Sequence, residues 1–142
     1  MRKLIENVEL FFCDFDHMSM FKPGRAMRYF EKARFEVADA LNIYEFYDAE
    51  DAVQFVVAKI RCENKVPIYQ TDRKVLIVTE IETPEVGMIA FNQEIVQDGI
   101  SKLSARFDIA VCSQKNGVQY RFNPELVERI RNYNSERNMI RE

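Results

Sequence analysis

The chain has no tryptophan, one histidine, three cysteines, four glycines and four prolines among its 142 residues. Cys13, Cys62 and Cys112 are odd in number and far apart. They form no CxxC pair and no Cys/His set at ligand spacing, so a zinc site is not expected. Free thiols suit a reducing cytoplasm. No apolar run approaches the roughly 20 residues that a membrane span needs. The opening MRKLIENVEL has a basic pair but lacks the apolar core of a signal peptide. Neither sign of charge dominates. Twenty Lys and Arg stand against 23 Asp and Glu, a net charge of −3, so no general field draws the chain to nucleic acid or to an anionic membrane. An anionic ligand must therefore meet a local basic patch. No repeat, low-complexity stretch or linker divides the sequence, and its length predicts a single domain over 1–142.

Hydrophobic residues make up 47% of the chain, enough for a real core. Residues 5–13 predict a first strand ending in aromatics. From Gly24 to Leu41 the period becomes helical, with Ala26, Phe30, Ala33, Val37 and Leu41 on one face. Pro23 suits a helix start, where a missing N–H is harmless. Glu31 and Arg34 lie three apart near the apolar face, a spacing that allows either a structural ion pair or a Glu31 free to act as acid, base or water anchor. Residues 42–52 read as an acidic, aromatic connector.

The period then falls to two. In 53–64, Val56, Ala58, Ile60 and Cys62 are expected on one face, with Lys59, Arg61 and Glu63 on the other. Val75, Ile77 and Ile81 alternate in 73–82, and Thr83-Pro84-Glu85 predicts a turn. Ile89, Phe91 and Ile95 share a face in 86–97. Asp98-Gly99 is a hairpin signal, because both residues tolerate positive φ. Leu103, Ala105, Phe107, Ile109 and Val111 line one face of 100–112. Asn116-Gly117 repeats the hairpin signal. Asn123-Pro124 predicts the cap and first residue of a short helix with Leu126, Val127, Ile130 and Tyr133 inward. The polar tail after Asn134 is expected to fray. The fold class is therefore α+β: a curved antiparallel sheet whose apolar face needs cover, wrapped around the one long apolar helix.

The chemistry concentrates in Cys13–Arg34, CDFDHMSMFKPGRAMRYFEKAR. Two aspartates, Asp14 and Asp16, precede the only histidine, His17, and a helix start at Pro23-Gly24. The Asp-x-Asp pair, the Tyr29-Phe30-Glu31-Lys32-Ala33-Arg34 helix and the strand Phe55–Ile60 together resemble the hotdog-fold thioesterases, and most of all the 4-hydroxybenzoyl-CoA thioesterase and YbgC-like branch. The likeness runs from about residue 7 to about residue 112. It implies a hotdog fold and an acyl-CoA or acyl-carrier-protein thioesterase. It also implies a homodimer or homotetramer, with no cofactor beyond the CoA or phosphopantetheine of the substrate.

By this resemblance, Asp16 is the nucleophile or general base and Glu31 the helix carboxylate. The family's oxyanion donor aligns with Pro23, which has no N–H, so that role passes to Gly24 or a neighbour, or the site is altered. A helix N-terminus suits developing negative charge. His17, Met20, Phe21 and Met27 are candidate substrate contacts, the methionines because their shape adapts. Lys59 and Arg61 are candidates for phosphate. Two other readings stand beside this one. Histidine, Pro-Gly and helix carboxylate also resemble β-hydroxyacyl thioester dehydratases, although here their spacing differs. The Pro23 departure also admits a non-catalytic acyl-thioester binding protein.

Overall fold

The computed structural model describes residues 1–46, 53–85, 87–115, 117 and 124–142. Strand β1 (Leu4–Glu9) leads through a single 3-10 turn at Phe12–Asp14 and a loop to a second 3-10 turn at Pro23–Arg25. That turn opens helix α1 (Ala26–Ala40), and β2 (Val53–Asn64), β3 (Lys74–Glu85), β4 (Met88–Gln97) and β5 (Ile100–Ser113) follow. Helix α2 (Pro124–Ser135) and a short β6 (Met139–Arg141) complete the chain. The six strands form one sheet in the order β2-β5-β4-β3-β1-β6, antiparallel except where β6 lies parallel to β1.

The helical stripe lands where its period put it. Ala26, Phe30, Ala33 and Val37 have no exposed surface, and Leu41 has 4%. Small residues at 26 and 33 let the helix backbone come close to the sheet, while Phe30 fills the space between. Its ring meets Phe107 of β5 edge to face, with centroids 5.9 Å apart. Burial of one such aromatic contributes about 2–3 kcal/mol. Leu126, Ile130 and Tyr133 of α2 join the same hydrophobic core. The long central helix wrapped by a curved sheet is the hotdog architecture that the resemblance implied.

Four local expectations need correction. The first strand stops at Glu9 rather than running through Cys13. Phe11 N–H donates to Asp14 Oδ2 (3.0 Å) and Asp14 N–H to Phe11 O (3.0 Å), which folds the chain into a turn and leaves Phe11 and Phe12 exposed. Strand β3 continues through Thr83-Pro84-Glu85, and the chain reverses between Glu85 and Met88, with Gly87 at φ 80°. In β2 the register against β5 shifts between Val57 and Lys59, a one-residue bulge at Ala58. Parity flips there, so Phe55 and Val57 share the helix-facing side with Ile60 and Cys62. Finally, the tail does not fray: Met139–Arg141 pairs with β1.

Asp98 (φ 53°) and Gly99 (φ 74°) make the predicted tight hairpin. The connector residues 47–52, Val86, Asn116 and residues 118–123, with the second hairpin signal and the Asn123 cap, lie outside the described residues.

Candidate active site

Asp14 and Asp16 sit two residues apart but live in different environments. Asp14 is completely buried. Its Oδ2 accepts from Phe11 N–H and from the hydroxyl of Tyr29, in the first turns of α1. Its backbone carbonyl accepts from Lys22 N–H (2.8 Å), immediately before Pro23. One residue therefore ties the exit of β1 to both sides of the helix start. Burial, and next the hydrogen bond to Asp14, push the Tyr29 phenol up to about 12, so it stays a donor at neutral pH. The other oxygen of Asp14, Oδ1, is buried and has no partner among the described residues.

Asp16 is half-buried and organises the following loop. Its Oδ1 accepts from Met18 N–H (2.8 Å) and Met20 N–H (3.1 Å). Its backbone N–H donates to Met20 O (2.8 Å), and Ser19 N–H to Asp16 O (3.0 Å). The loop closes with Ser19 at φ 61°. The Met20 N–H above all lowers the carboxyl pKa; desolvation opposes it, and the Met18 N–H with His17 and Lys22 tips the balance further down. Asp16 is thus an anion at neutral pH. No described group donates to its Oδ2, which leaves that oxygen available for chemistry.

Pro23 carries no N–H, as its ring dictates. Gly24 is exposed, and a Cβ added to it would meet nothing within 4 Å. Open space therefore lies beside Gly24, at the positive end of the helix dipole, while Arg25 N–H is taken by Lys22 O (2.9 Å) and Ala26 N–H by the carbonyls of the 3-10 turn.

The remaining candidates scatter. His17 is exposed. Met20 is half-buried and bridges to Tyr69. Phe21 is 6% exposed and packs edge to face on Phe15, in the core rather than in an open tunnel. Met27 packs partly buried against the core. Lys59 and Arg61 are exposed on β2, opposite Asp108 and Arg106 of β5 and on the face away from α1. A single chain does not bring them to Asp16.

Glu31 is exposed and stands where two clefts meet. One, of about 660 Å³, lies between β1 and α1 and includes Val8, Phe11 and Tyr29. Of the two alternatives, the Glu31–Arg34 ion pair does not form among the described residues. Arg34 turns into the fold and donates to Gln93 Oε1 (3.0 Å) instead. Desolvation lowers the Arg34 pKa and the charge of Glu31 opposes this.

Sequence reasoning missed the structural weight of Asp14, Tyr29 and Gln93. Gln93 did carry a signal: it is the polar residue at an inward position between Phe91 and Ile95.

No family model and no curated protein matches this chain. Solved structures do. The chain is similar to a DHNA-CoA thioesterase from Staphylococcus aureus (TM-score 0.74, 17% identity, covering 95% of this chain and 93% of that one). It is similar to the probable thioesterase YbaW from Escherichia coli (0.75, 17%, 89% and 96%). A third is a thioesterase from Thermus thermophilus complexed with coenzyme A and Zn (0.75, 18%, 94% and 95%). At these identities the likeness establishes the hotdog fold.

Proposed function

We propose that the chain is an acyl-CoA or acyl-carrier-protein thioesterase in which Asp16 acts on the thioester carbonyl and the helix start at Gly24 holds the oxyanion. The observation that carries this reading is the state of Asp16. Its Oδ1 is fastened by two backbone N–H groups, its charge is retained at neutral pH, and its Oδ2 has no described donor. The fold shared with solved thioesterases supports it.

In the general-base route, Asp16 Oδ2 takes a proton from water as the water oxygen bonds to the acyl carbon. The carbonyl π pair moves onto oxygen, which faces the helix tip. Collapse of this intermediate breaks the C–S bond, and the thiolate regains the proton. In the nucleophilic route Oδ2 bonds to the acyl carbon directly, expels the thiolate and leaves a mixed anhydride for water to cleave. A covalent acyl-enzyme on Asp16, seen by mass spectrometry after rapid quench, marks the second route; under single turnover in ¹⁸O water an Asp16 oxygen enters the product only when water attacks the Asp16 carboxyl carbon of the anhydride.

The proposed assembly is at least a homodimer. Among the described residues strand β2 pairs with β5 alone, and no other described strand lies on its second edge. Val56, Val57 and Ile60 are exposed on it at 43%, 43% and 52%. An open edge carrying apolar side chains is covered in most stable proteins. The free cysteines suit a reducing cytoplasm.

The test is Asp16→Asn. Asparagine still accepts from Met18 and Met20, so the loop persists while the charge is lost. We expect kcat on an accepted acyl-CoA to fall by about 10²–10⁴-fold with an unchanged circular dichroism spectrum. Undiminished thiol release would rule out Asp16 as the acting group.

A further inference from the structure

The second cleft at Glu31 lies between α1 and the β2 side of the sheet and has a volume of about 340 Å³. Phe35, Ala38, Phe55, Val57, Ile89 and Ile109 form most of its wall. Its lining is apolar except for Glu31 at the exposed rim and Arg34.

Arg34 is mounted as a fixed cation. Its guanidinium lies over the Phe107 ring, 3.9 Å from the centroid, and Nη1 donates to Gln93 Oε1 at 3.0 Å. Gln93 is only 2% exposed. Its own Nε2 is held by Phe30 O (2.9 Å) and Thr79 Oγ1 (3.0 Å), so its oxygen cannot turn away. A guanidinium has five N–H donors. Among the described residues Gln93 is the only hydrogen-bond acceptor for this one, and no carboxylate lies within ion-pair distance.

The charge of Glu31 reaches this guanidinium but gives it no hydrogen bond, and keeping a cation without a bonded counter-ion against apolar walls is costly. A plain hydrocarbon occupant would fill the walls but strip water from the guanidinium without returning a charge. A carboxylate on an apolar body satisfies both, because it matches the planar fork with two parallel hydrogen bonds. Arg34 lies ten residues past Gly24, about 15 Å along the helix, the reach of a medium-length acyl chain.

We infer that the acyl group this cleft takes ends in a carboxylate, which Arg34 receives at the end remote from the thioester. The inference rests on the thioesterase reading for the reacting end, and on the Arg34 cleft alone for the distal one.

The test compares decanoyl-CoA with the mono-CoA thioester of decanedioic acid, using wild type, Arg34→Gln and Arg34→Lys, each first confirmed as folded by its thermal unfolding. Wild type should prefer the carboxylated ester by at least about tenfold in kcat/KM. Arg34→Gln should bring that ratio to about one, and Arg34→Lys, which keeps the charge but loses the fork, should fall between. The same ratio in all three overturns the inference and leaves the hydrolase standing. If no form cleaves either ester, the hydrolase reading falls and calorimetry with the free acids decides. Saturable binding of decanedioate that weakens about tenfold in Arg34→Gln, with no such change for decanediol, upholds the anion site. Equal binding of diacid and diol, or equal binding by wild type and variant, removes it.

Discussion

Ser19 shows how a single backbone angle is paid for by its neighbours. A non-glycine residue at φ 61° sits in the left-handed region, at a cost of about 1 kcal/mol. The loop keeps it there because Asp16 Oδ1 gathers the N–H groups of Met18 and Met20 on either side. Ser19→Gly relieves this strain but frees the unfolded chain, so it should stabilise the protein by about 0.5 kcal/mol at most, read as a raised midpoint in urea unfolding. An unchanged or lowered midpoint would show that the strain is absent. Glu6 is a second case. It is 8% exposed on the inward side of β1, and burial raises its pKa above the usual 4.5, with Glu36 adding and Lys32 and Arg141 opposing. The native state then holds this proton more tightly than the unfolded chain does. Stability falls as pH rises from 4.5 through the folded value. Glu6→Gln should raise Tm at pH 7, and the gain should vanish in acid, where wild-type Glu6 is protonated in both states. A gain that is the same at every pH would contradict the assignment.

At the scale of elements, β6 is the piece that local sequence reads least well. Its three residues have no propensity strong enough to stand alone, and Ile140 is 67% exposed. Lys3 O holds Met139 N–H at 2.9 Å, Asn138 Oδ1 receives Lys3 N–H at 2.9 Å, and Arg141 reaches Glu36 of α1 at 3.4 Å. The strand also covers the free edge of β1. Removing residues 138–142 should cost about 2 kcal/mol and speed amide exchange in Leu4–Glu6, measured by mass spectrometry. Exchange that is unaltered would mean the tail stays detached in solution. The bulge in β2 is likewise a tertiary matter: it lets Phe55 and Val57 face the same side as Ile60 and Cys62, against an uninterrupted row in β5.

At the scale of the molecule, the two sheet edges differ. The β6 edge is short and ends in a charged residue, while β2 offers twelve residues with apolar side chains on show. The proposed homodimer forms through β2, and Ile60→Lys should shift it toward monomer in analytical ultracentrifugation. A lysine here adds charge to an edge without removing any contact within the chain core. Wild type that already sediments as a monomer would dismiss this assembly.

The sequence by itself determined the helix stripe, the Asp98-Gly99 hairpin and the inward rows of β3, β4 and β5. These follow from periodicity and turn stereochemistry, which act between residues a few positions apart. The concentration of acidic groups before a Pro-Gly helix start was equally legible. Which aspartate is buried and which is presented was not. Asp14 is claimed by Tyr29, fifteen positions on, and Arg34 leaves Glu31 for Gln93, 59 positions on. Such choices are made when distant polar groups compete for the same buried partner, and only the packed structure brings the competitors together.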